Sequence, residues 1–508
     1  MNAGIRDDST RHHAAAADAG QSEVRGKSRR LVVVSNRVTT GAAATSGGLA
    51  VALSEALGMS GGLWFGWSGK LRENCETASP ATGSANGYTT ATVDLTPAEH
   101  DGYYSGFSNE CLWPLLHYRL DLVKVDRQHM DVYFAVNERL ARNLAAMVNK
   151  DDLVWVHDYH LIPFAASLRR SNVRSKIGFF LHIPFPPPEI FAAVPDHKKL
   201  ARCLFAYDLM GFQTLRDREN FIRYAQEHCG ARLTPEGDLK VSGRTVKVNA
   251  FPIGIDVVQF ATEARRNASH PELAGLTESS FKRIIGVDRL DYSKGLPERL
   301  MAIESLFETS PDYRGAVQYL QIATPTREGI SAYDDIDAEL DRIIGQVNGR
   351  FGTFGWSPVS YIKRPTPRNL LAGLLRRCHV GLISPLRDGM NLVAKEYVAA
   401  QDPLDPGVLI LSQFAGAAEQ LKEALIVNPY DCEALADAIR KALEMPRVER
   451  QARHAMLLDK IRAEDIDWWR QQYLDALTGE LPQEAEEQHR RSATVENWPV
   501  AYDQGLRA

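Results

Sequence analysis

From residue 31 onward, short apolar runs recur along the chain and alternate with stretches in which apolar positions return every three or four residues. The strand-like runs of the first half lie at 31–35, 153–156, 177–181, 209–212 and 246–253, with helical stretches such as 161–168 and 221–228 between them. A second series follows residue 281, at 283–287, 318–322, 359–362, 380–383, 408–411 and 425–427. Strands alternating with helices predict βαβ units and mostly parallel sheets, hence an α/β protein of two Rossmann-like halves facing each other. The expected divisions are a disordered tail over 1–30, a first domain over 31–258, a second over 281–455, a helix over 456–477 that packs back on the first domain, and a polar tail over 482–508. Between the domains the polar stretch 259–280, broken at Pro271 and Gly275, reads as a linker. No repeat of solenoid period is present.

Composition narrows the function classes. A chain of 508 residues is too long for one hydrophobic core, and 44% hydrophobic with 24% charged residues is the balance of an ordinary soluble globular protein. A net charge of −5 supplies no global basic field, which argues against nucleic acid as the main partner. The six cysteines are scattered without metal-type spacing, as expected of reduced thiols in a cytoplasmic protein. No apolar run reaches the length of about 18 residues that a membrane span needs.

Strand ends carry the candidate chemistry. The run 380–383 leads through Pro385, Asp388 and Gly389 into a helix. Gly389 is expected to permit a positive φ and Asn391 to cap the helix, which leaves the N–H groups of Asn391, Leu392 and Val393 free to hold an anion at the positive helix end. Asp388 then faces the crevice at the carboxyl end of its strand, and Glu396, about one turn on, comes within reach of a sugar hydroxyl. The strand at 283–287 runs into a loop with Arg289 and Lys294, beside Gly295 and a helix starting near Pro297. Two cations next to backbone donors suit a diphosphate, although a solvated loop carries the same residues. Arg327 brings another arginine to a strand end. In the first half, Gly47 and Gly48 follow the first strand and let backbone approach a ligand, which packing alone also explains. His157, Asp158 and His160 follow one strand and His182 the next. That spacing lacks the further ligands of a recognisable zinc set, so no metal is expected. Asp335 and Asp337 read as surface helix. Trp64, Phe65, Trp67, Tyr104 and Trp113 suit the wall of a carbohydrate site, and core packing accounts for most of these rings equally well.

Taken in order, the motifs VVVSNR, GGL, LWFGWSG, WVHDYHL, GFFLHIPFP, GFQT, PIGID, VDRLDYSKGLPERL, PLRDGMNLVAKEYVAAQ and LSQFAGAAEQL resemble the trehalose-6-phosphate synthase family, retaining glycosyltransferases of the two-domain GT-B type. The likeness runs from about Leu31 to Leu477. It implies an acceptor domain for glucose 6-phosphate, then a donor domain for a nucleotide-activated glucose such as UDP-glucose or ADP-glucose. By matching position, Arg37, Tyr104, Trp113, Asp158 and Arg327 bind the acceptor, with Arg37 and Arg327 on its phosphate and Asp158 on its hydroxyls. Gly47, Gly48, Arg289 and Lys294 lie at the donor diphosphate and His182 and Asp388 at the transferred glucose. Gly389 and Met390 lie at the donor, to which Asn391, Leu392 and Val393 present amides, and Glu396 meets the ribose. Asp158, His182, Arg289, Lys294 and Asp388 form the expected catalytic set.

The resemblance further implies substitution on one face of the sugar, guided by the leaving phosphate and without the carboxylate nucleophile of retaining glycosidases. No cofactor is expected, and no membrane or nucleic-acid partner; a homo-oligomer is. The residues name no general base. The loop 363–367 lacks an aromatic that some relatives carry near the donor base, which leaves the nucleotide open, and there is no room for the phosphatase domain fused to some relatives. Two other readings stay open: a synthase using another phosphorylated acceptor such as a polyol phosphate, and a non-catalytic sugar-phosphate sensor. The sensor is disfavoured because Arg37, Asp158, His182, Arg289, Lys294, Arg327, Asp388 and Glu396 are all present.

Overall fold

The computed structural model describes residues 29–38, 53–54, 57–58, 62–85, 87–275, 281–327 and 330–480. In the first half, β1 (Leu31–Arg37), β2 (Leu63–Leu71), β4 (Tyr88–Leu95), β5 (Leu153–His157), β6 (Lys176–Phe180), β7 (Leu209–Phe212) and β10 (Arg244–Ala250) pair in parallel. Antiparallel strands β3 (Ala81–Ala85), β8 (Arg232–Leu233) and β9 (Leu239–Val241) extend the two edges, giving the order β3-β4-β2-β1-β5-β6-β7-β10-β9-β8. The second half is a wholly parallel sheet of β11 (Lys282–Arg289), β12 (Val317–Thr324), β13 (Val359–Ile362), β14 (Val380–Ile383), β15 (Val408–Ser412) and β16 (Leu425–Val427), ordered β13-β12-β11-β14-β15-β16. Central strands are apolar on both faces because helices cover both. In β1, Leu31 and Val33 enter one core while Val32 and Val34 enter the other.

Both sheets reverse their winding beside their first strand, between β1 and β5 in one and between β11 and β14 in the other. The carboxyl ends at such a reversal open a crevice where ligands of open α/β sheets bind. Arg37 ends β1, Asp158 follows β5, Arg289 ends β11, and Asp388 lies just past β14.

Several expectations need correction. The segment that supplies β2, β3 and β4 holds strands that the sequence pattern did not reveal. Trp64 and Phe65 are fully buried on β2, so they are core rather than sugar wall. The stretch 259–280 is not a linker in its first part, because Val257–Asn267 is a helix whose N-cap Asp256 accepts from Gln259 N–H at 2.8 Å. Val257, Phe260 and Ala264 are buried as this helix packs on Arg368–Arg376 and Leu392–Ala400 of the second half. The chain therefore crosses between halves earlier, over 251–256. It returns at Glu464 and Asp465, where the expected helix 456–477 is broken in two. Arg447–Ala463 stays on the second half, while Ile466–Thr478 lies across β6 and β7 of the first. The two crossings touch: Ile466 N–H donates to the Ile255 carbonyl at 3.3 Å, and Gly254 sits so close to the Asp465 backbone that a Cβ would lie 2.3 Å from its carbonyl carbon. Lys395, buried, donates to the Ile253 carbonyl at 2.6 Å. No helix among the described residues is long and apolar enough to cross a membrane.

Candidate active site

The two crevices face each other and the halves touch across them. The guanidinium of Arg327, from the loop after β12, lies 3.7 Å from the centre of the Trp113 ring, and that of Arg289 lies 5.2 Å from it. Arg327 also reaches the Tyr159 hydroxyl at 3.4 Å, and Arg387 covers the Tyr118 ring at 4.1 Å. Glu419 accepts from Leu215 N–H at 3.1 Å. A cleft beside Asp388 continues between Pro184, Thr214, Arg216 and Arg387.

The helix after β14 begins as expected at Leu392, but its entry differs from the sequence reading in two ways. Gly389 does not have a positive φ; it is small because a Cβ there would lie 2.0 Å from the His182 carbonyl oxygen of the other half. Asn391, not glycine, takes the left-handed conformation, at φ 72°, and its side chain makes no cap. It turns back instead and donates to Asp388 Oδ2 at 3.1 Å. The N–H groups of Asn391, Leu392 and Val393 have no acceptor among the described residues, so the helix end still presents free donors. Met390 is buried.

Asp388 Oδ2 also pairs with Lys294 Nζ at 2.5 Å. Lys294 sits in a short turn, Tyr292–Lys294, which leads through Gly295 at φ 67° into the helix Leu296–Thr309. Arg299, fully buried in that helix, donates to the Lys294 carbonyl at 2.8 Å and to Ser384 Oγ at 3.0 Å, and pairs with Asp288. Glu396 is buried with Arg368 3.8 Å away, and burial pushes its carboxyl up to about 7 against the pull of that arginine.

On the acceptor side, a cluster of rings lies beside Arg37 and Arg327. Arg37 lies 5.9 Å from the Trp67 ring, which meets Tyr104 at 5.8 Å; Tyr104 stacks on His160 at 5.8 Å, His160 packs on Tyr159 at 3.9 Å, and Tyr159 meets Trp113 at 5.7 Å. Both arginines assigned to the acceptor phosphate thus border one aromatic cluster, Arg37 at Trp67 and Arg327 at Trp113. Asp158 holds a left-handed φ of 77° after β5 and accepts from His182 N–H at 3.3 Å. Burial raises its carboxyl to about 6, opposed by backbone N–H groups and by Arg327 and Arg289.

The His182 ring has a fixed tautomer. Ile253 N–H donates to Gln213 Oε1 at 3.0 Å, which turns the Gln213 amide nitrogen toward His182 Nδ1 at 3.4 Å. Nδ1 is then the acceptor, and Nε2 carries the proton donated to His157 Nδ1 at 3.0 Å. Burial lowers both imidazoles, His182 to about 3, so the pair is neutral near pH 7. The sequence reading gave no role to Gln213, Arg299 or Arg368, although the first two lie inside the motifs GFQT and VDRLDYSKGLPERL. Asp335 and Asp337 lie on the helix Ser331–Phe351, where Asp337 pairs with Lys363. Gly47 and Gly48 lie outside the described residues.

Two facing Rossmann-like domains with charged groups gathered at both winding reversals define a GT-B glycosyltransferase. The family model of glycosyltransferase family 20 matches residues 21–479, and the chain belongs to that family. It is 46% identical over 463 residues to a trehalose-6-phosphate synthase of Enterobacter sp. (strain 638), covering 90% of this chain and 97% of the relative. The corresponding protein of Sodalis glossinidius (strain morsitans) is 47% identical over 460 residues, with coverage of 90% and 97%. Among solved structures, an α,α-trehalose-phosphate synthase (UDP-forming) from Burkholderia vietnamiensis superposes with a TM-score of 0.87 at 47% identity, covering 89% of this chain and 99% of that one. A Burkholderia xenovorans synthase in complex with glucose 6-phosphate gives a TM-score of 0.84 at 46% identity, with coverage of 88% and 100%.

Proposed function

We propose that this glycosyltransferase moves glucose from UDP-glucose to glucose 6-phosphate with retention, forming α,α-trehalose 6-phosphate and UDP. The observation that carries the reading is the meeting of the two crevices, where Arg289 and Arg327 from one half reach Trp113 and Tyr159 of the other beside the Lys294–Asp388 pair. The UDP-forming relative and the relative in complex with glucose 6-phosphate support this donor and acceptor. In this reading Arg37 and Arg327 hold the acceptor phosphate and Asp158 orients acceptor hydroxyls. His182 and Asp388 hold the donor glucose, and Glu396 the ribose. Arg289, Lys294 and the Asn391–Val393 amides neutralise charge as it grows on the departing diphosphate. The bond from the anomeric carbon to the diphosphate oxygen breaks as the acceptor oxygen bonds to the same face of that carbon. The acceptor hydroxyl proton passes to the leaving phosphate, so no enzyme base is required.

The test is product identification by NMR after incubation of the purified chain with UDP-glucose or ADP-glucose and glucose 6-phosphate or a polyol phosphate. A non-reducing disaccharide phosphate with two α linkages is expected, formed fastest from UDP-glucose. Its absence, or faster transfer to the polyol phosphate, would refute the assignment. In Arg37→Ala, the KM for glucose 6-phosphate should rise about tenfold or more while that for the donor stays close to wild type.

A further inference from the structure

We infer that Asp291 is a positioning residue that fixes, through one buried carboxylate, both the arginine assigned to the acceptor phosphate and the turn carrying the lysine assigned to the donor diphosphate; the inference rests on the functional reading above. Asp291 stands two residues beyond β11 and is completely buried. Its Oδ1 accepts from Ser293 N–H at 3.0 Å, and its carbonyl accepts from Lys294 N–H at 3.0 Å, so it closes the turn that aims Lys294 at Asp388. Its Oδ2 accepts from Arg327 Nη1 at 2.9 Å and lies 3.4 Å from the Tyr333 hydroxyl, which is itself hydrogen-bonded to Arg327.

Arg327 needs that partner. Its backbone is left-handed, at φ 50°, and its side chain is 5% exposed. Its other contacts are the neutral groups Tyr159, Tyr333 and the Trp113 ring, and a guanidinium so buried is strongly destabilised without a compensating charge. Asp291 is the one carboxylate paired with it among the described residues. The same negative charge lies near Arg289 and Lys294, which together with Arg327 hold the carboxyl well below the usual carboxylate range even though burial pulls it upward. Three cations meant for two anionic substrates are therefore held in place before either arrives. That is pre-organisation: the groups need not be gathered at the moment of reaction.

Two substitutions separate the two duties. Asn caps turns and can still accept from Ser293 N–H, so Asp291→Asn in the full chain removes the charge on Arg327 but keeps the turn. It should raise the KM for glucose 6-phosphate about tenfold or more and move the donor KM by less than about threefold. Asp291→Ala loses the turn as well, and its turnover should fall by a further tenfold or so. In a double-mutant cycle with Arg327→Lys, the two losses in glucose 6-phosphate affinity should fall well short of multiplying, as for groups acting through one another. Equal rises in both KM values in Asp291→Asn, or fully multiplicative losses, would overturn the inference. Should Asp291→Asn not fold, Tyr333→Phe probes the same network, with an expected rise of about threefold in the glucose 6-phosphate KM alone; an unchanged KM there would also overturn it. A wild-type chain that makes no product from glucose 6-phosphate would sink the functional reading itself, whereas an active wild type with an indifferent Asp291→Asn would sink only this inference.

Discussion

Lys294 shares Asp388 Oδ2 with Asn391, so a single carboxylate oxygen links the lysine proposed for the diphosphate to the start of the helix Leu392–Ala400. Lys294→Ala is expected to lower turnover by about two to four orders of magnitude, some 3–5 kcal/mol, if the ammonium follows charge onto the leaving group. Single-turnover rates decide this, because a variant with wild-type turnover and only a raised KM would mean uniform binding. Glu396 gives a pH-dependent test. Its folded pKa, about 7, lies above its ordinary value of 4.5, so ionising it opposes folding: the cost is absent below 4.5, grows between the two values and is complete above 7. At about 1.4 kcal/mol per pH unit the full cost is about 3 kcal/mol, so Glu396→Gln should melt several degrees above wild type at pH 8 and alike at pH 4.5. If Glu396 holds the ribose as proposed, wild-type donor KM should also rise as pH falls through about 7, where that carboxylate loses its charge. That limb should flatten in the Gln variant. The sequence made such groups legible wherever a charge stood beside a strand end or a glycine, as with Arg289, Lys294 and Asp388. Asp291 was on view in the same motif without a role, because its partner Arg327 lies 36 residues away on another loop.

Among the elements, the entry to the helix Leu392–Ala400 shows where pattern reading stops. A glycine before a helix suggests freedom of φ, yet Gly389 is constrained from outside, by the His182 carbonyl on the far side of the crevice. Gly389→Ala should accordingly hold the halves apart. Its melting temperature should stay near wild type, since each half keeps its own core, while kcat/KM falls about a hundredfold or more. Small-angle scattering would show a larger radius of gyration, and an unchanged envelope with unchanged activity would refute the contact. β2 and β4, though parallel, went unread, whereas strands such as β1 and β14 were readable because burial on both faces makes them continuously apolar. β3 was not, since its Ala-Thr-Gly-Ser-Ala sequence has no apolar alternation and an exposed edge. The helix Val257–Asn267 hid because its apolar start runs on from the preceding strand while Glu263, Arg265 and Arg266 make its second half polar.

At the scale of the whole molecule, the last helix belongs in space to the first half. Gly178 and Gly211 leave room on β6 and β7 that Tyr473 fills, its hydroxyl 2.3 Å from where a Cβ of Gly178 would stand. Tyr473 stacks on Trp155 at 4.5 Å, and Trp469 packs 4.8 Å from the same ring. Removing the chain from Ile466 onward should therefore unfold or aggregate the first half, not the second. Hydrogen exchange would show lost protection in β5, β6 and β7 and retained protection in β11, β12 and β14. Time enters here as well. A ribosome releases Ala250, the last residue of the first sheet's parallel strands, long before Ile466, and at about 5–20 residues per second the interval is about 10–40 s. Throughout it the nascent amino-terminal half carries an uncovered floor of Trp155 and Phe180, with a gap between β6 and β7 that no residue yet made can close. Its exposure to chaperones, and to its neighbours on the same messenger, is set by the speed of translation and not by its own rate of folding.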